Sequence, residues 1–188
     1  MIAQLDRPFL TPEQYLEAES RATQKHEYIN GEIYAMAGGG QAHGLLITNL
    51  VALIRPHLRG SHCRLFASDM KVQIETHNSF YYPDLVVTCD ERDRTRDQPY
   101  LNFPVLIIEV LSDSTESFDR GKKFLDYSQL PSLQEYILVS QHQQQIEVFH
   151  RQNSQQWLLT QYSNASEIKI ESLALSCAIR DIYEDVIS

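Results

Sequence analysis

One short segment, Val105-Leu106-Ile107-Ile108, limits the folds open to this chain more than any other. All four side chains are apolar, so the segment has no polar face to turn toward water. A strand of this kind is normally found in the middle of a sheet that is covered on both sides. The sequence therefore predicts a central strand with further layers of structure on each of its faces.

The remaining patterns predict a mixed α/β domain. Thr11 and Pro12 begin a helix that runs to about Glu19, and Asn30-Gly31 between two apolar runs predicts a hairpin. Apolar periodicity predicts helices at 42–58 and 116–129, a strand at 70–75 with a hairpin partner at 80–87, and strands at 136–139, 146–150, 157–162 and 168–170. This order predicts a mixed α/β sheet with helices packed on it.

Length and charge narrow the class of protein. The chain has 188 residues, 43% of them hydrophobic, and we expect residues 1–188 to form a single domain around one core. Its 16 basic and 25 acidic side chains give a net charge of −9. That balance argues against a histone-like or single-strand-coating protein, whose affinity comes from clustered lysine and arginine. It is compatible with a nuclease that has a local basic groove.

The cysteines and the first residues indicate where such a protein works. Cys63, Cys89 and Cys177 lie far apart, without a C-x-x-C motif or paired histidines, so we expect neither a disulfide framework nor a structural zinc site. Residues 1–9 lack the apolar core of a signal peptide, and no segment approaches the roughly 18 apolar residues of a membrane helix. We therefore expect a soluble protein of the reducing cytoplasm with no membrane partner.

Glu109 directly follows the central apolar strand and is the most informative single residue. A carboxylate in that position loses much of its hydration unless a metal ion, a cation or hydrogen bonds compensate. Two interpretations are open at this point. Glu109 belongs to a functional site, or it lies just past the buried part of its strand or pairs with a nearby lysine as plain architecture.

Asp84 is the acid that could join Glu109. It follows Pro83, which a strand tolerates only at an edge, a start or a bulge. If 80–87 runs antiparallel beside 105–111, both carboxylates can project toward one point, as a divalent metal ion requires. Taken alone, Asp84 is more typical of a turn or capping aspartate.

A lysine could come from the next helix. Asp119, Lys123 and Tyr127 are spaced four residues apart, so they share one helix face. Because this helix follows the strand that precedes Glu109, it can return a cation to the same end of the sheet. Asp119 and Lys123 are equally typical of an ordinary exposed ion pair.

These residues, in this order and spacing, resemble the Uma2 family, also called DUF820, of restriction-endonuclease-like proteins in the PD-(D/E)XK nuclease superfamily. The resemblance covers nearly the whole chain. It implies a restriction-endonuclease-like fold, with a central mixed β-sheet flanked by α-helices. The matching segments are 28–33 with Met36, the helix opened by His43, 68–70, Pro83-Asp84, 109–112, Asp119, Lys123, Tyr127 and 135–139.

The resemblance also implies a metal site. Asp84 and Glu109 would hold Mg²⁺ or Mn²⁺, with the backbone carbonyl of Val110 as a third ligand. The superfamily pattern has a lysine two residues after the glutamate; Leu111 stands there in this chain, and Lys123 on the next helix matches the lysine of the family. The implied reaction is hydrolysis of DNA phosphodiester bonds, with Asp84, Glu109 and Lys123 as the catalytic set.

Glu32 and His43 are second-rank candidates. Glu32 lies on the early hairpin, where superfamily relatives can supply a further acid. His43 opens a helix after 38–40, a glycine run whose backbone amides favour anions. The run lacks the G-K-[ST] ending of a nucleotide-binding loop. Both residues also fit plain structural roles.

Two functions from different classes fit these residues. The first is a metal-dependent endonuclease acting on DNA. The second is a non-catalytic module that keeps the fold and neutralises Glu109 with Lys123. A glycosidase is supported only by the presence of two acids. The acidic net charge predicts weak DNA binding unless basic residues gather on one side, the candidates being Arg92, Arg94, Arg96, Lys122 and Lys123.

The composition of the C-terminal part of the chain predicts that the protein forms a homodimer or a higher homo-oligomer. It is apolar and aromatic, and a small sheet leaves part of such a surface uncovered. Symmetric dimers are the commonest assembly, and a dimer would suit the cutting of two strands. The residues concerned are Trp157, Leu158, Leu159, Tyr162 and Tyr183.

Overall fold

The fold is described from a computed structural model that covers residues 9–36, 38–95, 98–163 and 167–186. The helices are α1 (Pro12–Glu19), α2 (Gln41–His57), α3 (Glu116–Phe118), α4 (Phe124–Tyr127) and α5 (Ile179–Ile182), and a π-helical turn (Asp119–Lys123) joins α3 to α4. The strands are β1 (His26–Ile29), β2 (Glu32–Ala35), β3 (Arg64–Ala67), β4 (Lys71–Ile74), β5 (Ser79–Tyr81), β6 (Leu85–Thr88), β7 (Tyr100–Leu101), β8 (Pro104–Leu111), β9 (Glu135–Ser140), β10 (Gln145–Arg151), β11 (Trp157–Ser163), β12 (Glu167–Ile170) and β13 (Leu175–Ala178).

Five strands form one sheet in the order β2-β1-β5-β4-β7. Its first hairpin turns at Asn30 and Gly31, whose φ angles of 48° and 97° are both left-handed, as a two-residue type I′ turn requires. Ile29 therefore pairs with Glu32, and the hairpin that the Asn-Gly signal predicted is confirmed. The antiparallel pairing of β4 with β5 is confirmed as well.

The segment 80–87 divides between two sheets instead of forming one strand. β5 pairs within the five-stranded sheet, whereas β6 pairs with β3 and β8 in a second sheet. Pro83 lies between them, where it need not donate to a ladder. The single strand expected here is wrong, and the crossing places Asp84 immediately before β6.

The second sheet has six strands in the order β11-β10-β9-β8-β6-β3. β8 lies between antiparallel β6 and parallel β9, with Leu85 opposite Ile108 and Glu109 opposite Leu138. All eight residues of β8 are buried, which confirms the central strand. The chain thus has the mixed α/β, restriction-endonuclease-like architecture that the resemblance implied.

Two apolar cores cover the two faces of β8. The face of Ile108 and Val110 packs in the same core as α2, through Leu46, Leu50 and Ile54. The opposite face, with Ile107 and Leu111, packs with residues of the five-stranded sheet and of α4. Full burial of one such side chain contributes about 1.5–3 kcal/mol. Because side chains alternate along a strand, Glu109 belongs to the second face, between Ile107 and Leu111.

A helical segment runs from Glu116 to Tyr127, in agreement with the helix expected at 116–129, but a π-helical turn interrupts its α geometry. α3 gives way to the π-helical turn, and α4 ends at Tyr127. Gly121 lies in the middle of the turn, where its low helix propensity favours a departure from regular α geometry. The turn carries Asp119 and Lys123, both buried, and such turns are frequent at functional sites.

Cys63 and Cys89 form a disulfide, so the expectation of no disulfide is wrong. Cys63 directly precedes β3 and Cys89 directly follows β6. Since Arg64 pairs with Thr88, the two cysteines face each other across the strand ends despite a sequence separation of 26. Sequence spacing alone could not show that these strands are neighbours. Cys177 is free and buried.

The C-terminal hairpin of β12 and β13 leads into α5, which packs against α2. Asn49 of α2 donates a hydrogen bond to the carbonyl oxygen of Ile182, at 3.1 Å. Tyr183 is 2% exposed and its hydroxyl donates to the carbonyl oxygen of Ser140, at 2.9 Å. Tyr183 is therefore a core residue, contrary to the prediction of an association surface. No helix in the described part of the chain is long and apolar enough to cross a membrane.

Candidate active site

Asp84 and Glu109 lie side by side at the point where the ladder between β6 and β8 ends. The backbone N–H of Asp84 donates to Glu109 Oε2 at 3.2 Å. In return, the backbone N–H of Val110 donates to Asp84 Oδ2 at 2.7 Å. These two bonds continue the ladder beyond the pairing of Leu85 with Ile108, with side chains in place of carbonyl groups. The antiparallel strands therefore bring the two predicted acids together.

Lys123 places a cation against this pair. Its Nζ lies 3.2 Å from Glu109 Oε1, 2.9 Å from Glu27 Oε1 and 3.4 Å from Asp119 Oδ1. Burial by itself lowers the pKa of Lys123, but these three carboxylates outweigh it and raise that pKa well above its ordinary value. Lys123 is therefore an ammonium ion at neutral pH. Lys122 points elsewhere and pairs with Asp126 at 2.8 Å.

The pKa of the Glu109 carboxyl group is strongly shifted by its surroundings. Glu109 is 3% exposed, and burial raises its pKa well above the ordinary value, while Lys123 opposes that rise. The negative charges of Asp119, Asp84 and Glu27 raise the pKa further. The Tyr127 hydroxyl donates to Glu109 Oε1 at a long 3.4 Å. Glu109 is thus a buried acid whose ionised form is favoured by any additional cation.

The cluster carries more acids than cations. Glu27, Glu109 and Asp119 contact Lys123, and Asp84 lies beside Glu109, so the cluster has four carboxylates and one lysine. Asp119 Oδ1 is buried and accepts no hydrogen bond from the described residues, although Lys123 lies 3.4 Å away. Oxygen donors in excess of the local positive charge are the environment that Mg²⁺ and Mn²⁺ prefer. The residues present therefore fit a hard divalent cation.

The carbonyl of Val110 has the orientation expected of a further oxygen donor. In a strand, the N–H and C=O of one residue point toward the same neighbouring strand. Since the N–H of Val110 points at Asp84, its carbonyl also faces the gap left by the end of β6. Val110 lines the same cavity as Asp84 and Glu109.

His43 is brought to the site, whereas Glu32 is not. Nε2 of His43, in the first turn of α2, lies 3.2 Å from Asp84 Oδ2. The hydrogen bond with Asp84 raises the pKa of His43, against a lowering by burial. Glu32 is exposed, accepts a hydrogen bond from the Tyr34 hydroxyl and does not line the cavity.

Glu27, not Glu32, supplies the additional acid of the site. It is 8% exposed and lies on β1, a strand with neighbours on both sides. Glu27 follows the polar residues Gln24, Lys25 and His26, so it lacks the preceding apolar run that singles out Glu109. Its place in the site depends on packing between distant segments of the chain. The spacing of Asp119 and Lys123 predicts their contact, and the structure adds that Asp119 lines the cavity.

A cavity of about 380 Å³ opens over the cluster, within the size range of small-ligand pockets. One wall is built from the backbone of Gly38, Gly39 and Gly40 at the start of α2. The other lining residues include Tyr34, Met36, His43, Tyr82, Ser112, Ser114, Thr115, Phe118 and Gln141. The acids are therefore recessed but reachable from outside.

The basic residues named as a DNA-binding patch are not gathered at this cavity. Arg92 pairs with Asp90 at 2.7 Å, and Arg94 pairs with Glu91 at 3.4 Å. With Lys122 they lie outside the cavity lining, and Arg96 falls outside the described residues. Of the five candidates, Lys123 is the one that the structure places in the site.

Comparison with known proteins gives a consistent result. Residues 12–180 match the Uma2 family model, described as "Putative restriction endonuclease". The "Uncharacterized protein slr1290" of Synechocystis sp. is 42% identical over 94% of this chain and 92% of its own length. The "Uncharacterized protein sll1609" of the same organism is 39% identical over 81% and 86%. A crystal structure titled as a "putative nuclease belonging to DUF820" from Anabaena variabilis aligns with a TM-score of 0.76 and 18% identity, covering 93% of this chain and 97% of that one.

Proposed function

Because the chain belongs to the Uma2 family, we propose that it is a metal-dependent endonuclease that hydrolyses phosphodiester bonds of DNA. One observation carries the proposal. Three carboxylates contact a single lysine at the base of an open cavity, a fourth lies beside one of them, and one of their oxygens accepts no hydrogen bond within the described part of the chain. In a merely structural cluster, hydrogen bonds or cations of the protein itself would satisfy every buried acid.

Asp84, Glu109 and the carbonyl of Val110 would hold Mg²⁺ or Mn²⁺. The bound ion would lower the pKa of a water molecule and neutralise charge that develops on the phosphate. The protein holds both carboxylates in place before a metal ion binds. Glu109 accepts a hydrogen bond from the backbone N–H of Asp84, and Asp84 accepts one from the backbone N–H of Val110. This preorganisation is what a site needs if its geometry is to be ready when substrate arrives.

Lys123 would act on the attacking water. Because its pKa is raised, Lys123 keeps its protons at neutral pH and is a donor, not a general base, in the protein without metal. It therefore orients the water through its ammonium protons and stabilises negative charge on the phosphate. Glu27 and Asp119 also contact Nζ, at 2.9 and 3.4 Å, and help to hold it beside Glu109.

The start of α2 would receive the phosphate group. Gly40 is its N-cap and makes no side-chain capping bond, and the first turn of this 17-residue helix contains no acid. Such a helix start attracts anions through its backbone N–H groups. His43, from the same turn, contacts Asp84 and so fixes that carboxylate between the helix and β8.

A non-catalytic module is the second candidate, and one observation favours it. Lys123 already contacts three carboxylates within 3.4 Å, so the lysine neutralises part of the site without any metal. In that case the fold serves association, and the site is an internal ion-pair network.

The test is calorimetric titration of Mg²⁺ and Mn²⁺ into the wild type and Glu109→Gln, followed by cleavage assays on plasmid and on short duplex DNA. We expect binding by the wild type, at least about tenfold weaker binding by Glu109→Gln, and cleavage that disappears in Lys123→Met. Glu135→Gln is the matched control, because it removes a charge from another buried glutamate that lies outside the cavity.

Circular dichroism first establishes that each variant is folded. If the wild type binds neither ion at millimolar concentration, with or without DNA, the metal-dependent mechanism is wrong and the non-catalytic module is favoured. If the wild type and Glu109→Gln bind Mg²⁺ and Mn²⁺ equally well, Glu109 is not a ligand and the metal site does not lie at β8.

A further inference from the structure

We propose that β11 is a self-association edge, at which the strand pairs antiparallel with β11 of a second copy of this chain. β11 is the last strand of the six-stranded sheet, and within the described residues only β10 pairs with it. Its seven residues run from Trp157 to Ser163 and are mostly exposed. The inference does not depend on the proposed nuclease activity.

The edge lacks the features by which monomeric proteins protect such strands. Edge strands are commonly shielded by charged side chains, by proline, by a bulge or by being short. The segment WLLTQYS contains no charged residue and no proline. Its pairing with β10 runs without a break from Gln145 opposite Ser163 to Arg151 opposite Trp157, so no bulge twists the edge away.

The side chains of β11 offer apolar contacts on both faces of an extended sheet. Leu158 and Leu159 are 54% and 49% exposed, and as consecutive strand residues they project to opposite faces. On the face of the π-helical turn and α4, the ring of Trp157 packs against Phe124, and the neighbouring Leu125 is 61% exposed. A strand added at this edge would therefore cover apolar surface as well as pair backbone groups.

A second copy is the occupant that the charge distribution favours. The chain carries a net charge of −9, so most surfaces of two copies repel each other. β11 is free of charge along its whole length, which allows two copies to meet there without placing like charges opposite each other. Antiparallel pairing of a strand with itself has two-fold symmetry, so one edge supplies both halves of a closed dimer.

The experiment is sedimentation equilibrium of the full chain over a range of concentrations, with the variant Thr160→Lys. Thr160 is exposed near the middle of β11, so lysine is compatible with the fold, yet in the dimer two added charges would face each other. We expect a wild-type mass of two chains and a dimer dissociation constant at least about tenfold higher in the variant. Gln155→Lys, which adds the same charge in the exposed loop before β11, should leave the dimer unchanged.

Hydrogen exchange on the wild type gives a second readout that needs no variant. Amides of 157–163 should become better protected as protein concentration rises, because pairing covers them. A wild type that stays monomeric at every concentration overturns the proposal and leaves the edge to a different partner. A dimer that Thr160→Lys does not weaken also overturns it, since the interface would then lie elsewhere.

Discussion

Glu109 and Glu135 are buried glutamates on neighbouring strands, yet their surroundings differ completely. Glu135 begins β9 opposite Leu106, whereas Glu109 lies near the far end of β8 opposite Leu138. Glu135 accepts bonds from the backbone N–H groups of Glu171 and Ser172, at 3.0 and 2.8 Å, and from the Ser172 hydroxyl. Glu109 accepts longer bonds of 3.2 to 3.4 Å from Asp84, Lys123 and Tyr127.

The difference teaches how to distinguish a structural acid from a functional one when both are hidden from water. Three donors at Glu135 fix the short turn before β13, so its charge is satisfied by the fold itself. Glu109 shares one lysine with Glu27 and Asp119 and lies next to a cavity. Burial alone therefore does not mark a site, whereas burial with an excess of like charge does.

Removal of the lysine should test the charge excess most severely. Lys123→Met leaves Glu27, Glu109 and Asp119 without their shared cation, and we expect a loss of about 3–5 kcal/mol in the free energy of unfolding at neutral pH. Urea denaturation measures it. Lys122→Met is the matched control: its partner Asp126 keeps hydrogen bonds to His77 and Tyr81, so we expect less than about 1 kcal/mol.

If Lys123→Met is as stable as Lys122→Met, then Glu27, Glu109 and Asp119 do not need the charge of Lys123 to remain buried together. Added Mg²⁺ separates the two roles further. A divalent ion should stabilise both variants, because both keep Asp84 and Glu109, and it should stabilise Lys123→Met more, because there it also replaces the missing positive charge.

Removal of the disulfide tests whether the stability of the protein and the metal affinity of the site depend on each other, because the disulfide and Asp84 lie at opposite ends of β6. Cys89 follows the end of β6, whereas Asp84 precedes its start. For the double variant Cys63→Ser/Cys89→Ser we expect a loss of about 3 kcal/mol, mainly from greater freedom of the unfolded chain, with unchanged Mg²⁺ affinity. Thermal unfolding with and without a reducing dithiol provides the control, because the reductant should destabilise only the wild type. A loss of metal affinity would show that the site depends on this distant end of the strand.

Glu135→Gln should reveal the structural glutamate by its effect on stability alone. An amide replaces one acceptor oxygen by a donor, which then faces the N–H groups of Glu171 and Ser172. We expect a loss of about 1–3 kcal/mol, measured by urea denaturation, with metal binding and cleavage unchanged. Reduced cleavage by a fully folded Glu135→Gln would mean that the two glutamates are coupled across the sheet.

Patterns that depend on neighbours in the chain were predictable from the sequence. The Asn30-Gly31 turn, the helix after Thr11 and the buried strand before Glu109 each rest on local rules, and the structure contains all three. Asp84 and Glu109 could be brought together because an antiparallel pair needs only the correct order of two strands.

Features that depend on contacts between distant segments could not be predicted from the sequence. The pairing of β3 with β6, which aligns Cys63 with Cys89, joins segments with no shared motif. The division of 80–87 between two sheets follows from tertiary packing around Pro83. Glu27 reaches Lys123 only because the five-stranded sheet packs against the helix that follows β8. Tyr183 differs from its prediction in the opposite direction: it is buried, because α5 packs its ring into the core and its hydroxyl bonds to the carbonyl oxygen of Ser140.

Of these variants, Glu109→Gln should have the smallest effect on stability. It should stabilise the protein although it weakens metal binding. Lys123 keeps Glu27 and Asp119 as partners in this variant, so no buried charge loses its last counterion. Because the pKa of Glu109 is raised in the folded state, the native protein holds that proton more tightly than the unfolded chain does. The stability that this proton contributes is complete below the ordinary carboxyl pKa and is lost as the pH rises through the raised one. Measured with a chelator present, Glu109→Gln should therefore gain stability relative to the wild type as the pH rises across that window. Saturating Mg²⁺ should cancel the gain, because the ion stabilises only the protein that binds it. A variant that is less stable than the wild type at every pH would place Glu109 beside Glu135, as a second acid that serves the fold.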